Sequence, residues 1–110
     1  MLTADGVQIP DVKNVTIPAD TTDAHILLFN SADNGYNLAF EIVLADSGET
    51  LYSSGLVEPG MCVEDIILSA GLVSGEYKAV LNVRIVEQES NTETGGASVE
   101  FVLLVKREGS

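Results

Sequence analysis

Gly75-Glu76-Tyr77-Lys78-Ala79-Val80-Leu81-Asn82-Val83-Arg84-Ile85 is the stretch that decides the fold. A glycine, an acid and an aromatic open it as a turn. From Ala79 onward, Ala79, Leu81, Val83 and Ile85 fall on every second residue. A period of two places them on one side of a pleated strand. Gly75 is expected to take the turn dihedral that a Cβ resists.

Working outward, the same grammar recurs. Val15-Thr16-Ile17 is a short strand halted by Pro18, which cannot donate to a ladder. Ala24 to Asn30 is a second strand. Ser31-Ala32-Asp33-Asn34-Gly35 is dense in turn formers. Tyr36 to Ala45 alternates, with Leu38, Phe40 and Ile42 opposed to Ala39, Glu41 and Val43. Asp46-Ser47-Gly48-Glu49 reads as a hairpin turn before a strand over Thr50 to Ser54. Cys62 to Leu68 is a strand whose alternation slips between Val63 and Ile66, the mark of a bulge. Gln88 to Gly96 reads as a long mobile hairpin loop before a last strand over Ala97 to Lys106. About seven short strands with turn signals between them predict an all-β, immunoglobulin-like antiparallel sandwich. In that setting Tyr77 resembles a tyrosine corner, its ring packed and its hydroxyl tied back to nearby backbone. Residues 1–14 are expected as an extended lead-in, 15–106 as the single domain, and 107–110 as a tail.

Composition bounds the function. The chain has 110 residues, 45% of them hydrophobic, with no Trp, so its core is built of Val, Leu and Ile. A net charge of −12 repels phosphate backbones, which excludes nucleic acid. It also repels anionic headgroups. The longest apolar runs, Ile26-Leu27-Leu28-Phe29 and Phe101-Val102-Leu103-Leu104-Val105, are far short of the ~20 residues that span a bilayer, so no direct membrane insertion is expected. Residues 1–20 lack the basic start and apolar stretch of a signal peptide. One cysteine allows neither an intrachain disulfide nor a Cys-based metal site.

Phe29-Asn30, Asp46-Ser47-Gly48-Glu49, Tyr52-Ser53-Ser54-Gly55-Leu56-Val57-Glu58-Pro59-Gly60, Gly75-Glu76-Tyr77 and Gly95-Gly96-Ala97 together carry a resemblance. The segment resembles small, uncharacterised extracellular domains of Gram-positive gut bacteria. In those, an acidic Gly-containing hairpin and a Pro-Gly turn precede a Gly-Glu-Tyr turn and a closing strand. The resemblance covers roughly residues 15–106 and rests on turn and strand signals. It implies a secreted or membrane-anchored module at the cell surface, its anchor upstream of this chain. It implies no activity. Gly95-Gly96 departs from the usual Asn-Gly of that pattern.

His25 is the only histidine, with Asp20 and Asp23 close in sequence. A Ser-His-Asp triad with Ser31, Ser47, Ser53 or Ser54 lacks any nucleophile elbow, and His25 is expected as a solvent-facing strand residue. Cys62 has Glu58, Glu64 and Asp65 for neighbours rather than the helix end or cation that activates a thiol, so it is expected as a buried structural residue. Asp20/Asp23 and Asp33/Asn34 lack the Gly-punctuated spacing of a calcium loop. No catalytic residue, metal ligand or cofactor is assigned, and no enzymatic activity is expected.

The sharper signal is the second face of the strands. A sheet open to water should be polar there. Instead Val43, Val80, Val86, Val102 and Leu104 stand beside Arg84, Glu41, Lys78 and Glu100. Val43, Val80, Arg84, Val86, Val102 and Leu104 form the candidate interaction face, for an unknown protein partner or self-association. The expected function is a non-enzymatic extracellular immunoglobulin-like structural or protein-interaction module. The alternative is a ligand- or carbohydrate-binding accessory domain using the end loops Ser31–Gly35 and Gln88–Gly96.

Overall fold

The computed structural model describes residues 2–4, 7–10 and 12–107; most of the expected tail and part of the lead-in lie outside them. Within these residues the chain forms β1 (Leu2–Ala4), β2 (Val7–Ile9), β3 (Asn14–Pro18), β4 (Asp23–Phe29), β5 (Asn37–Leu44), β6 (Thr50–Val57), β7 (Cys62–Ile67), β8 (Gly75–Val86) and β9 (Glu93–Lys106). One sheet has five strands in the order β3-β9-β8-β5-β6, and a second pairs β4 with β7. Those seven strands make the sandwich; β1 and β2 form a separate hairpin. Pairing is antiparallel except that β3 runs parallel to β9. The strand order and the tyrosine corner make this an immunoglobulin-like sandwich.

The alternation read from the sequence is the alternation buried in the structure. Leu38, Phe40 and Ile42 of β5, Leu81, Val83 and Ile85 of β8, and Phe101, Leu103 and Val105 of β9 are buried in one cluster. Ile26 and Leu28 of β4 and Ile66 of β7 close it from the other sheet. Each such side chain contributes about 1.5–3 kcal/mol by leaving water. Val7 and Ile9 of the lead-in also lie in this core. They are held there by buried asparagines. Asn34 Nδ2 donates to Gln8 O at 2.8 Å and to Asn30 Oδ1 at 2.7 Å, while Gln8 N donates to Asn34 Oδ1 at 2.7 Å. Asn30 Nδ2 in turn donates to the carbonyls of Tyr36 and Val57. Buried amides are tolerated because their donors are used.

Local chemistry explains the irregular points. Tyr77 is half-buried against the core and its hydroxyl donates to Val73 O at 2.8 Å. Gly75 sits at φ 156°, outside what a side chain accepts comfortably. In β6 the strand runs on past Ser54 to Val57: Ser54 Oγ accepts from Phe40 N at 3.0 Å, and Gly55 turns at φ 77°. The β4–β7 register shifts between His25 and Leu28, where the slip between Val63 and Ile66 is met.

Two expectations are corrected. The β8–β9 connection is not a long loop to Gly96, because β9 begins at Glu93 and the turn is closed by Glu87 N donating to Thr92 O at 2.9 Å. Gly95 and Gly96 are strand residues. A Cβ on Gly96 would lie 2.7 Å from Val83 O, so glycine there permits close backbone approach rather than mobility. Cys62 is exposed rather than buried. It faces Phe29 in register, and the inward positions of its strand are taken by Val63 and Ile66.

Tyr77→Phe is expected to lower the unfolding free energy by about 1 kcal/mol through loss of one hydrogen bond. Gly96→Ala is expected to cost about 1–3 kcal/mol through backbone displacement. Urea midpoints with an unchanged slope measure both, and a neutral Gly96→Ala would refute the close-approach account.

Candidate functional site

The outer face of the five-stranded sheet is assembled by register. Val43 of β5 stands opposite Val80 of β8, and Val80 opposite Glu100 of β9. One rung on, Lys78 pairs with Val102, and Glu76 with Leu104. Asn14 and Thr16 of β3 flank Val102 and Leu104. Val43, Val80, Val102 and Leu104 are all half-buried and run as one stepped band across β5, β8 and β9, with Val80 and Val102 on a diagonal. Four of the six candidate residues are thereby brought together.

The other two stand apart. The next rung is polar and self-bonded: Ser98 Oγ donates to Asn82 Oδ1 at 2.7 Å, and Asn82 Nδ2 donates to Glu41 Oε1 at 3.3 Å. Beyond it, Arg84 is exposed between Ala39 and Gly96. Val86, only 7% exposed and opposite Asn37, has little surface to offer. The Ser98–Asn82–Glu41 ladder was not foreseen in the sequence, since its members come from three strands whose pairing the sequence does not state.

Beside the diagonal, Lys13, Ala45, Lys78, Glu100 and Val102 line a shallow depression of about 420 Å³. Lys13 is placed there because its carbonyl accepts from Val102 N at 2.9 Å, extending the β3–β9 pairing. The arrangement offers apolar contact bordered by ammonium groups and a carboxylate. It does not gather a nucleophile and a base.

His25 is exposed, as expected, with 68% of its side chain accessible. Its partners are not Asp20 and Asp23. Nδ1 lies 3.0 Å from Asp65 Oδ1 and Nε2 lies 3.7 Å from Glu64 Oε1, because the β4–β7 register sets His25 opposite Asp65. No serine of the proposed triad bonds to it among the described residues. The hydrogen bond to Asp65 raises the His25 pKa above 6.5; desolvation, next in size, opposes it, and the charges of Asp65 and Glu64 add smaller increases. Among the described residues no three His, Cys, Asp or Glu side chains are grouped to hold a metal. Asn34, next to Asp33 in the turn after β4, spends its amide on Gln8 and Asn30 and is not free for calcium. The two end loops do meet: Gly35 and Tyr36 border Glu87, Gln88 and Glu89 around a depression of about 340 Å³.

No known family profile matches the chain. No curated protein is significantly similar to it. Among solved structures it is similar to the ASH / PapD-like domain of human CEP192 (PapD-like domain 7), with 14% identity, covering 92% of this chain and 85% of that chain at a TM-score of 0.49.

A raised histidine pKa means that the charged link stabilises the fold fully below the unfolded value and fades as pH rises through the folded value. Titration followed by nuclear magnetic resonance is expected to place His25 above 6.5 in the wild type and closer to it in Asp65→Asn. The difference in melting temperature between wild type and His25→Ala should shrink from about pH 5 to about pH 8. A difference constant across that range would refute the link.

Proposed function

We propose that this chain is a non-enzymatic, extracellular or cell-surface-anchored immunoglobulin-like module that binds another protein through the outer face of its five-stranded sheet. One observation carries the reading: Val43, Val80, Val102 and Leu104 lie contiguous on a sheet face that has no covering layer among the described residues. Contiguous apolar surface marks an interface, whereas single scattered valines do not. The face is large enough. The molecule measures 47 × 23 × 23 Å, so the face offers on the order of 1,000 Å², against the ~800 Å² that each partner gives to a standard interface.

Surface placement is supported by the resemblance of the Asp46–Glu49, Pro59-Gly60 and Gly75-Glu76-Tyr77 turns to those of extracellular modules. The acidic remainder of the surface disfavours nucleic acid as the partner. Among the described residues no helix is long and apolar enough to cross a membrane.

A photo-crosslinking residue placed at Val80 in the full-length protein on its own cells is expected to yield protein adducts. The same residue at Glu58, in the turn after β6, should yield none. Adducts from Glu58 but not from Val80 would overturn the reading.

A second reading, a ligand- or carbohydrate-binding accessory domain, is favoured by the meeting of Gly35 and Tyr36 with Glu87–Glu89 at one end. Calorimetry with calcium and with a glycan panel is expected to show no heat of binding. Saturable heat lost in Glu87→Gln/Glu89→Gln would put this reading first.

A further inference from the structure

The outer face of the five-stranded sheet differs from the rest of this molecule in charge as well as in polarity. The chain holds 17 carboxylates against five Lys and Arg. Four of those five cations serve this one face. Lys78 and Arg84 project from β8 and Lys106 from β9 on the same side as Val80 and Val102, and Lys13 borders it. None of the four makes an ion pair with a described carboxylate. The described strand carboxylates on that side, Glu41, Glu76, Glu93 and Glu100, match them in number. Among the described residues this acidic protein thus carries one face that is balanced in charge, with an apolar diagonal and cations that make no ion pair.

We infer that a second copy of this chain docks on that face, giving a two-fold symmetric dimer. This deepens the proposed interaction module by naming its partner, and rests on that reading. The geometry is self-complementary. Across β8 and β9, Lys78 is paired with Val102 and Val80 with Glu100, so the valines share one diagonal of a rectangle and the charges share the other. Strands lie about 4.8 Å apart and alternate residues about 6.7 Å apart along a strand, so the diagonals cross at about 70°. A two-fold axis laid along the Val80–Val102 diagonal places each valine on its own counterpart. In projection, the same operation brings Lys78 of each copy to within about 3 Å of Glu100 of the other, a gap these long side chains span to set ammonium against carboxylate. Such reciprocity is what an isologous interface demands.

The repulsion between two chains of −12 does not defeat this contact. Packed sheets are about 10 Å apart, so the carboxylates of the β4–β7 side lie behind the contact by more than the ~8 Å over which physiological salt screens charge. A basic partner protein would be drawn instead to those acidic outer surfaces and turns. It would meet four cations here that make no ion pair with a described carboxylate.

Sedimentation equilibrium on the wild type, Lys78→Glu, Glu100→Lys and an equimolar mixture of the two variants tests the inference. The wild type is expected to dimerise below about 1 mM. Each variant alone sets like charges opposite each other twice and should dimerise more weakly by roughly tenfold or more. The mixture restores both pairs and should recover the dimer as a heterodimer. Val102→Asp, checked for an unchanged melting temperature, should be monomeric. A monomeric wild type, or a mixture no more associated than its components, overturns the inference. If position 80 still crosslinks to a different protein, only the second copy as partner is refuted. If it crosslinks to nothing, the interaction module falls with it.

Discussion

The β8–β9 ladder is the constraint on which the other strands depend. It runs in register from Gly75 opposite Val105 to Val86 opposite Glu93. β5 aligns on one flank of this hairpin and β3 on the other. A slip of one residue in β8 would turn Leu81 and Val83 to water and bring Lys78 and Arg84 toward the core; a slip in β9 would do the same with Phe101, Leu103 and Glu100. Both ends are therefore held. At one, Gly75 turns the chain and the Tyr77 hydroxyl grips Val73 O. At the other, the close approach of Gly96 to Val83 O admits no side chain. The outer diagonal of Val80 and Val102 exists only because this register holds.

The second sheet has two strands, which is little cover for a five-stranded partner. Two devices make up the difference. Val7 and Ile9 are drawn into the core from the lead-in, and Asn30 and Asn34 bind that segment to the β4–β5 and β6 backbone. Those amides lie where apolar packing ends, and each hydrogen bond they make replaces one lost to water. The acids are left to the turns and outer faces, where hydration suits them.

What could be read from the sequence was local or periodic. The alternation of β5, β8 and β9 named the core correctly, because burial on one face writes itself into a period of two. Tyr77 could be read because its acceptor lies four residues upstream. Gly96 could not, because its constraint comes from Val83 on the neighbouring strand, and a Gly-Gly pair looks the same in a loop. His25 was set beside Asp20 and Asp23 by proximity in the chain, whereas register supplied Asp65 from 40 residues away. Cys62 was misread through the general tendency of cysteine to be buried, although Val63 beside it already claimed the inward position. For the candidate face, composition and parity gave the members, and only pairing could show that Glu41, Asn82 and Ser98 divide Val86 and Arg84 from the rest.

The parallel course of β3 beside β9 has a consequence for tension. Asn14, where the chain enters β3, is level with Val102, and Lys106, where it leaves β9, is level with Pro18. The pairing is prolonged at its two ends by Val102 N to Lys13 O and by Ala19 N to Lys106 O. A load drawn through residues 14 and 106 in opposite directions therefore runs along the strands and strains all of these hydrogen bonds together. They must shear as a set instead of parting one after another, and resistance to such pulling is governed by the unfolding rate, not by the equilibrium stability.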